Sequence, residues 1–161
     1  MESKILTIKY KEYKLIDNLP EKMRELALIS VEETKKSYAP YSNFHVGAAI
    51  LLDDGTVVSA NNQENAAFPS GMCAERVAIY YAMAKNPQAK IKSIAIAATV
   101  NGKLCDNPTY PCGACRQVMA EYRAKGGEKI EVITVGAIKT EVFEDIDSLL
   151  PFTFFEFPTS I

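Results

Sequence analysis

Residues 73–99 read CAERVAIYYAMAKNPQAKIKSIAIAAT, and two different periods lie end to end in them. From Cys73 onward, Ala74, Val77, Ala78, Tyr81 and Ala82 recur at i, i+3, i+4, i+7 and i+8, which gathers apolar side chains on one face of a helix. Asn86-Pro87 ends the pattern, because proline lacks an N–H and pushes the preceding residue out of the α region. Residues 91–99 then run almost continuously apolar, as a strand covered on both faces does. A helix feeding a doubly covered strand predicts an α/β protein.

Outward from this stretch the alternation continues. Downstream, Pro111 leads into a second helix over 112 to about 125, closed by Gly126-Gly127. A strand at 130–135, a short one at 141–143 and a short helix into Leu149-Leu150-Pro151 follow. Upstream, 44–52 reads as a buried strand, Asp53-Asp54-Gly55-Thr56 as a hairpin turn, and 56–60 as the returning strand. A polar loop occupies 61–71. Asn18 and Pro20 open an N-terminal helix to about residue 38, which Ala39-Pro40-Tyr41-Ser42 breaks. The order predicts one domain over 1–161: a three-layer α/β/α sandwich around a mixed five-stranded sheet. Residues 1–40 form its N-terminal strand and helix region, and 41–161 its motif-bearing core.

With 161 residues, 48% hydrophobic and 24% charged, the chain has the size and balance of a single globular domain. No apolar stretch approaches the about 18 residues that span a bilayer. The opening Met1-Glu2-Ser3-Lys4 leads into alternating Lys and apolar residues rather than an apolar leader core. These features predict a cytoplasmic protein with no membrane partner. The formal net charge is −2, and no basic run with interleaved aromatics occurs. Nucleic-acid binders draw affinity from neutralising phosphates, so this balance favours a small uncharged substrate over a polynucleotide.

The four cysteines are Cys73, Cys105, Cys112 and Cys115. In a cytosolic chain, clustered cysteines point to metal or redox chemistry rather than a disulfide framework. Cys112 and Cys115, spaced i, i+3 at a helix start, direct both thiols the same way. Cys73 begins the other helix, and a helix N-terminus favours a thiolate. Three protein thiolates leave the fourth tetrahedral position of a zinc ion open. On its own, Cys-x-x-Cys also fits a redox or structural role. Cys105 lacks a matched pairing with Cys73 and reads as a small apolar residue. Glu75, in the first helical turn, fits two roles: a partner for the helix dipole, or a carboxyl beside a zinc-bound water.

Cys73-Ala74-Glu75-Arg76 and Pro111-Cys112-Gly113-Ala114-Cys115-Arg116-Gln117 resemble the paired zinc motifs of the cytidine deaminase family. Tyr41-Ser42-Asn43-Phe44-His45-Val46-Gly47-Ala48-Ala49 and Asn62-Gln63-Glu64-Asn65-Ala66 are similar to two further segments of that family. The resemblance runs from about Tyr41 to the C-terminus. It implies a homotetrameric, zinc-dependent hydrolase of pyrimidine salvage that converts cytidine and 2′-deoxycytidine to their uridine counterparts. It implies one zinc per chain on Cys73, Cys112 and Cys115, with Glu75 moving protons as zinc deaminases do. Arg76 matches the position that hydrogen-bonds the ligand thiolates, and Arg116 is a weaker candidate for that role. The resemblance also implies substrate contacts from Phe44, Asn62, Glu64 and Ala74, and from Phe154 of a neighbouring subunit.

Read by themselves, Asn62 and Glu64 at i, i+2 of an extended segment point the same way, and an amide beside a carboxylate suits a sugar hydroxyl. Phe44 fits either core packing or stacking on a pyrimidine. His45, the only histidine, reads as structural or surface. Gln63, Phe68 and Tyr110 depart from the family's commonest residues, which bears on the shape of the pocket. Four Phe in Phe152-Thr153-Phe154-Phe155-Glu156-Phe157 call for a covering surface. Three rivals stand beside this reading: a deaminase of a nucleoside-like antibiotic such as blasticidin S, an inert zinc-structured binding module, and a polynucleotide editor.

Overall fold

The computed structural model describes residues 1–155. Among the described residues, seven strands form one sheet: β1 (Lys11–Tyr13), β2 (Phe44–Leu52), β3 (Val57–Asn61), β4 (Ile91–Val100), β5 (Lys103–Leu104), β6 (Glu131–Val135) and β7 (Thr140–Phe143). The strands run in the order β1-β7-β6-β4-β2-β3, with β5 paired to β4. Only β4 and β6 are parallel, and the remaining pairs are antiparallel. The sheet is therefore mixed. The five expected strands are all present, and β1 and β5 add two short ones.

Three helices cover it: α1 (Glu21–Glu33), α2 (Ala74–Lys85) and α3 (Gly113–Gly126). The two-residue period of the strands divides them between faces. Ala48, Ile50, Leu52, Ile94, Ile96 and Val132 pack with Ala78, Ile79 and Met83 of α2 and Met119 of α3. Ala49, Ala95, Ala97, Ile133 and Val135 pack on the other face with Leu26 and Ala27 of α1. Ile50, Ile94 and Ile96 are fully buried, each stabilising the fold by about 1.5–3 kcal/mol relative to exposure. Small alanines line the α1 face, so that helix lies close. A Cβ on Gly47 would stand 2.0 Å from the Ser30 carbonyl oxygen.

The N-terminal helix ends earlier than its pattern predicts. Thr34 Oγ1 donates to Val31 O at 2.7 Å and Ser37 Oγ to Thr34 O at 3.0 Å, and such back-bonding tightens the chain into the 3-10 turn Thr34–Lys36. Asn18 does not cap α1, because Pro20 holds that position. The Asn18 side chain instead accepts from Leu15 N at 3.2 Å. At its far end α1 is pinned by Glu33, which is 8% exposed. Glu33 accepts from Ser59 Oγ at 3.0 Å and Asn61 Nδ2 at 3.1 Å on β3, and from Lys36 at 2.8 Å. Burial alone would raise the Glu33 pKa, but these donors outweigh it and hold the carboxyl below its ordinary value.

Topology collects the chemistry at one end of the sheet. α2 returns the chain to β4, so the start of α2 lies by the end of β4, where the loop into α3 also begins. Phe44 pairs with Val100 and Asn61 with Gly47, so the start of β2 and the end of β3 reach the same edge. Among the described residues, no helix is long and apolar enough to cross a membrane. Of the aromatic C-terminal run, Glu156 and Phe157 lie outside the described residues.

Candidate active site

Cys73 and Cys112 are the extended residues immediately before α2 and α3, and Cys115 is one turn into α3. Their sulfurs converge, all three within 4.8 Å of one another. Cys73 Sγ lies 3.8 Å from Cys112 Sγ, which is 3.4 Å from Cys115 Sγ. Tetrahedral zinc bound by thiolates at about 2.3 Å sets its sulfurs about 3.8 Å apart, so the arrangement fits that ion. Cys105 does not belong to the group. It is half-buried, with its thiol pKa raised by burial.

Charge at the cluster supports metal binding. Hydrogen bonding from Cys115, with help from Arg76 and Cys112, brings Cys73 down to about 5. The Cys115 thiol is correspondingly pushed up, chiefly by that same bond. Arg76 Nη2 donates to Cys73 Sγ at 3.7 Å. Its Nε is buried without a partner among the described residues. Arg116 does something else. Its Nε donates to Pro111 O at 2.8 Å and its Nη1 to Leu149 O at 3.0 Å, which ties the C-terminal segment to the start of α3.

Glu75 is only 4% exposed and stands outside the trio of mutually close donor atoms, in hydrogen-bond contact with the Cys115 thiol. Burial pushes its carboxyl up to about 7, with the Cys73 thiolate adding to the shift. A surface charge at a helix end would be solvated, and this one is not. Beside it opens a cleft of about 380 Å³ that takes in Phe44, Asn62, Glu64, Cys73, Glu75 and Cys112. Phe44, at 37% exposure, belongs to the cleft rather than to the core.

Asn62 and Glu64 are positioned by backbone pairing. Asn62 O accepts from Tyr38 N at 3.1 Å, Tyr38 O from Glu64 N at 2.8 Å, and Gln63 exchanges two hydrogen bonds with Met72. The segment is thereby threaded between Tyr38 and the residue preceding Cys73. Asn62 and Glu64 both turn toward residues 41–46, as their spacing predicts. Asn62 Oδ1 accepts from Val46 N at 2.8 Å and its Nδ2 donates to Phe44 O at 3.0 Å, so the amide clamps the start of β2. Glu64 accepts from Tyr41 N at 2.9 Å, Ser42 N at 3.3 Å and Ser42 Oγ at 2.5 Å. The Ser42 hydroxyl leads the causes that hold Glu64 below the usual carboxylate range.

Ala74 is fully buried and its side chain packs in the core, leaving only its backbone for a ligand. Phe154 does not line the cleft of its own chain. It is 62% exposed, and its carbonyl accepts from Gln117 Nε2 at 2.8 Å. His45 bonds Ser37 Oγ at 2.6 Å, away from the thiols. Two cleft residues, Ser42 and Tyr110, make contacts that the sequence did not reveal. Ser42, quoted within a motif, positions both Glu64 and the Phe44 backbone, whose N–H it accepts at 3.0 Å. Tyr110 reaches a carboxylate on β7 that no sequence pattern connects to it.

Known proteins resemble this chain in sequence and in fold. The cytidine deaminase of Sporosarcina psychrophila is 40% identical over 100 residues, covering 62% of this chain and 69% of that protein. The probable cytidine deaminase of Dictyostelium discoideum is 32% identical over 125 residues, 76% of this chain and 78% of its own. The crystal structure of cytidine deaminase from Burkholderia pseudomallei superposes with a TM-score of 0.68 at 36% identity, over 81% of this chain and 97% of that one. Residues 20–127 match the family model for the cytidine and deoxycytidylate deaminase zinc-binding region, and the chain belongs to that family.

Proposed function

We propose that the chain hydrolyses cytidine and 2′-deoxycytidine: nucleoside and water give uridine or 2′-deoxyuridine and ammonia. The observation that carries this reading is Glu75, a buried carboxyl beside three convergent thiols on the floor of a nucleoside-sized cleft. Cys73, Cys112 and Cys115 would hold the zinc, which when bound would supply the Lewis acidity that activates a water for attack. The Glu75 carboxylate takes one proton from the attacking water and gives it to N3 of the pyrimidine, then takes the second from the hydroxyl so formed on C4 and gives it to the departing 4-amine, which leaves as ammonia. Arg76 donates to Cys73 Sγ and so offsets the negative charge that the thiolates gather.

Substrate binding is divided along the cleft. The Phe44 ring offers a face to the pyrimidine, and Ala74 offers backbone groups at the first turn of α2. A primary amide carries two N–H donors, and the Asn62 amide spends one on Phe44 O, leaving one for a sugar hydroxyl. Glu64 accepts three hydrogen bonds of the about four its carboxylate can take, leaving one site for the same sugar. These contacts select a nucleoside over a free base. The protein acts as a cytoplasmic homotetramer in pyrimidine salvage, with Phe154 closing the cleft of a neighbouring subunit. The exposed rings of Phe152, Phe154 and Phe155 support a covered face there.

The test is ammonia release from cytidine, 2′-deoxycytidine and cytosine, with light scattering of the full chain and of a truncation from Phe152 onward. Turnover of both nucleosides by a tetramer, with cytosine slow, is the expected result. Rapid deamination of cytosine would contradict the sugar contacts. A fully active monomer would contradict the shared site.

A further inference from the structure

Tyr110 lines the cleft together with Thr109 and Cys112. Two residues from Cys112, its Cα is no more than about 7 Å from that of the ligand cysteine, so it belongs to the thiol end rather than the sugar end. Its hydroxyl donates to Glu141 Oε2 at 2.7 Å. Glu141, on β7, is 2% exposed, and its other oxygen pairs with Lys139 Nζ at 2.8 Å. The same ammonium takes Glu12 of β1 at 3.0 Å. Glu12 lies directly opposite Glu141 in the β1–β7 register, where two carboxylates would repel without the lysine between them.

A second path runs through rings. Tyr110 meets Phe143 of β7 edge-on, centroids 6.4 Å apart and planes at 69°. Tyr10 stacks on that same Phe143 at 5.3 Å and 28°. The cleft wall is thus braced at its hydroxyl and at its ring by β7, whose Phe143 is in turn stacked by Tyr10, the residue immediately before β1. All of the bracing residues lie outside the 20–127 segment that matches the family model.

Resting on the deaminase reading above, we propose that Tyr110 is a specificity-determining wall. Held by β7 and, through it, by β1, it admits an unsubstituted cytosine and rejects bases with added bulk at the reacting end, on C5 or on the 4-amine. A ring fixed at both ends does not swing aside for an extra methyl group. Tyr110 is the wall itself, and Tyr10 is a positioning residue that acts through Phe143.

The experiment measures kcat/KM of the zinc-loaded full chain for cytidine, 5-methylcytidine and N4-methylcytidine, the last releasing methylamine. Tyr110→Ser raises the rate on at least one methylated substrate relative to cytidine by about tenfold. Tyr10→Ala raises the same ratio by about threefold, and the double variant goes no further than Tyr110→Ser alone. Tyr10 is half-exposed, so Tyr10→Ala keeps the fold and answers the question even if Tyr110→Ser does not accumulate. Unchanged ratios overturn the wall, and additive effects in the double variant overturn its link to β1. Wild-type protein inert toward cytidine would sink the deaminase reading and this inference together, whereas wild-type turnover with unchanged ratios sinks the inference alone.

Discussion

Replacing Asn62 by alanine removes an amide that is both a clamp on β2 and the proposed sugar contact. Val46 N, half-buried, loses its acceptor at 2.8 Å, while the exposed Phe44 carbonyl can turn to water. A lost hydrogen bond of the first kind costs about 0.5–1.5 kcal/mol, and stranding a partly buried donor adds to that. The sum for Asn62→Ala is about 1–2 kcal/mol. For a domain of this length that lowers Tm by about 3–6 °C. The start of β2 carries Phe44, so the ring loses definition along with the strand. Loss of the sugar contact, worth about 1 kcal/mol, raises KM for cytidine about fivefold. Calorimetric melting and steady-state kinetics on one preparation measure both effects. A variant that melts with the wild type would refute the clamp, and an unchanged KM would refute the sugar contact.

Other perturbations separate the remaining parts. Cys112→Ala lowers zinc stoichiometry by elemental analysis, whereas Cys105→Ala leaves one zinc per chain; zinc loss on changing Cys105 would overturn the ligand set. Gly47→Ala drives a Cβ to 2.0 Å from Ser30 O, so α1 must move off β2; the expected loss is about 1–3 kcal/mol, read by denaturant unfolding. Glu33 binds its proton less tightly when folded than when unfolded. Its contribution is therefore present above the unfolded pKa of about 4.3 and is lost as pH falls through the lower folded value. Between pH 5 and pH 3 the wild type should lose more stability than Glu33→Gln, and parallel curves would contradict this.

Much of this was legible because long periodic segments state their own environment. Residues 44–52 are apolar at almost every position, and β2 occupies those positions. The two helix starts were marked by the cysteines they carry. What escaped notice lacked a period or depended on distant partners. A strand was expected within residues 1–40 but not its position, because Lys-Glu-Tyr shows no apolar alternation and β1 is placed by pairing with β7 and by Tyr13 packing on the core. β5 is two residues long. The strand clamp of Asn62 is invisible in sequence because its partners are backbone groups 16 and 18 residues away. Tyr110 differs in the same way, since its carboxylate lies 31 residues on. Arg116 sits in the zinc motif yet serves the C-terminal segment, because its side chain turns to carbonyls rather than thiols.

The central claim is that Glu75 moves protons beside a zinc held by three cysteines. Glu75→Gln keeps the shape of the buried side chain while removing its exchangeable carboxyl proton. The direct measurement is kcat for cytidine with wild-type and Glu75→Gln protein, each carrying one zinc per chain and melting as a folded domain. A fall of at least about 10²–10⁴-fold is expected, the range for a single general acid–base group. A zinc-loaded, folded Glu75→Gln protein that turns cytidine over at the wild-type rate would contradict the account.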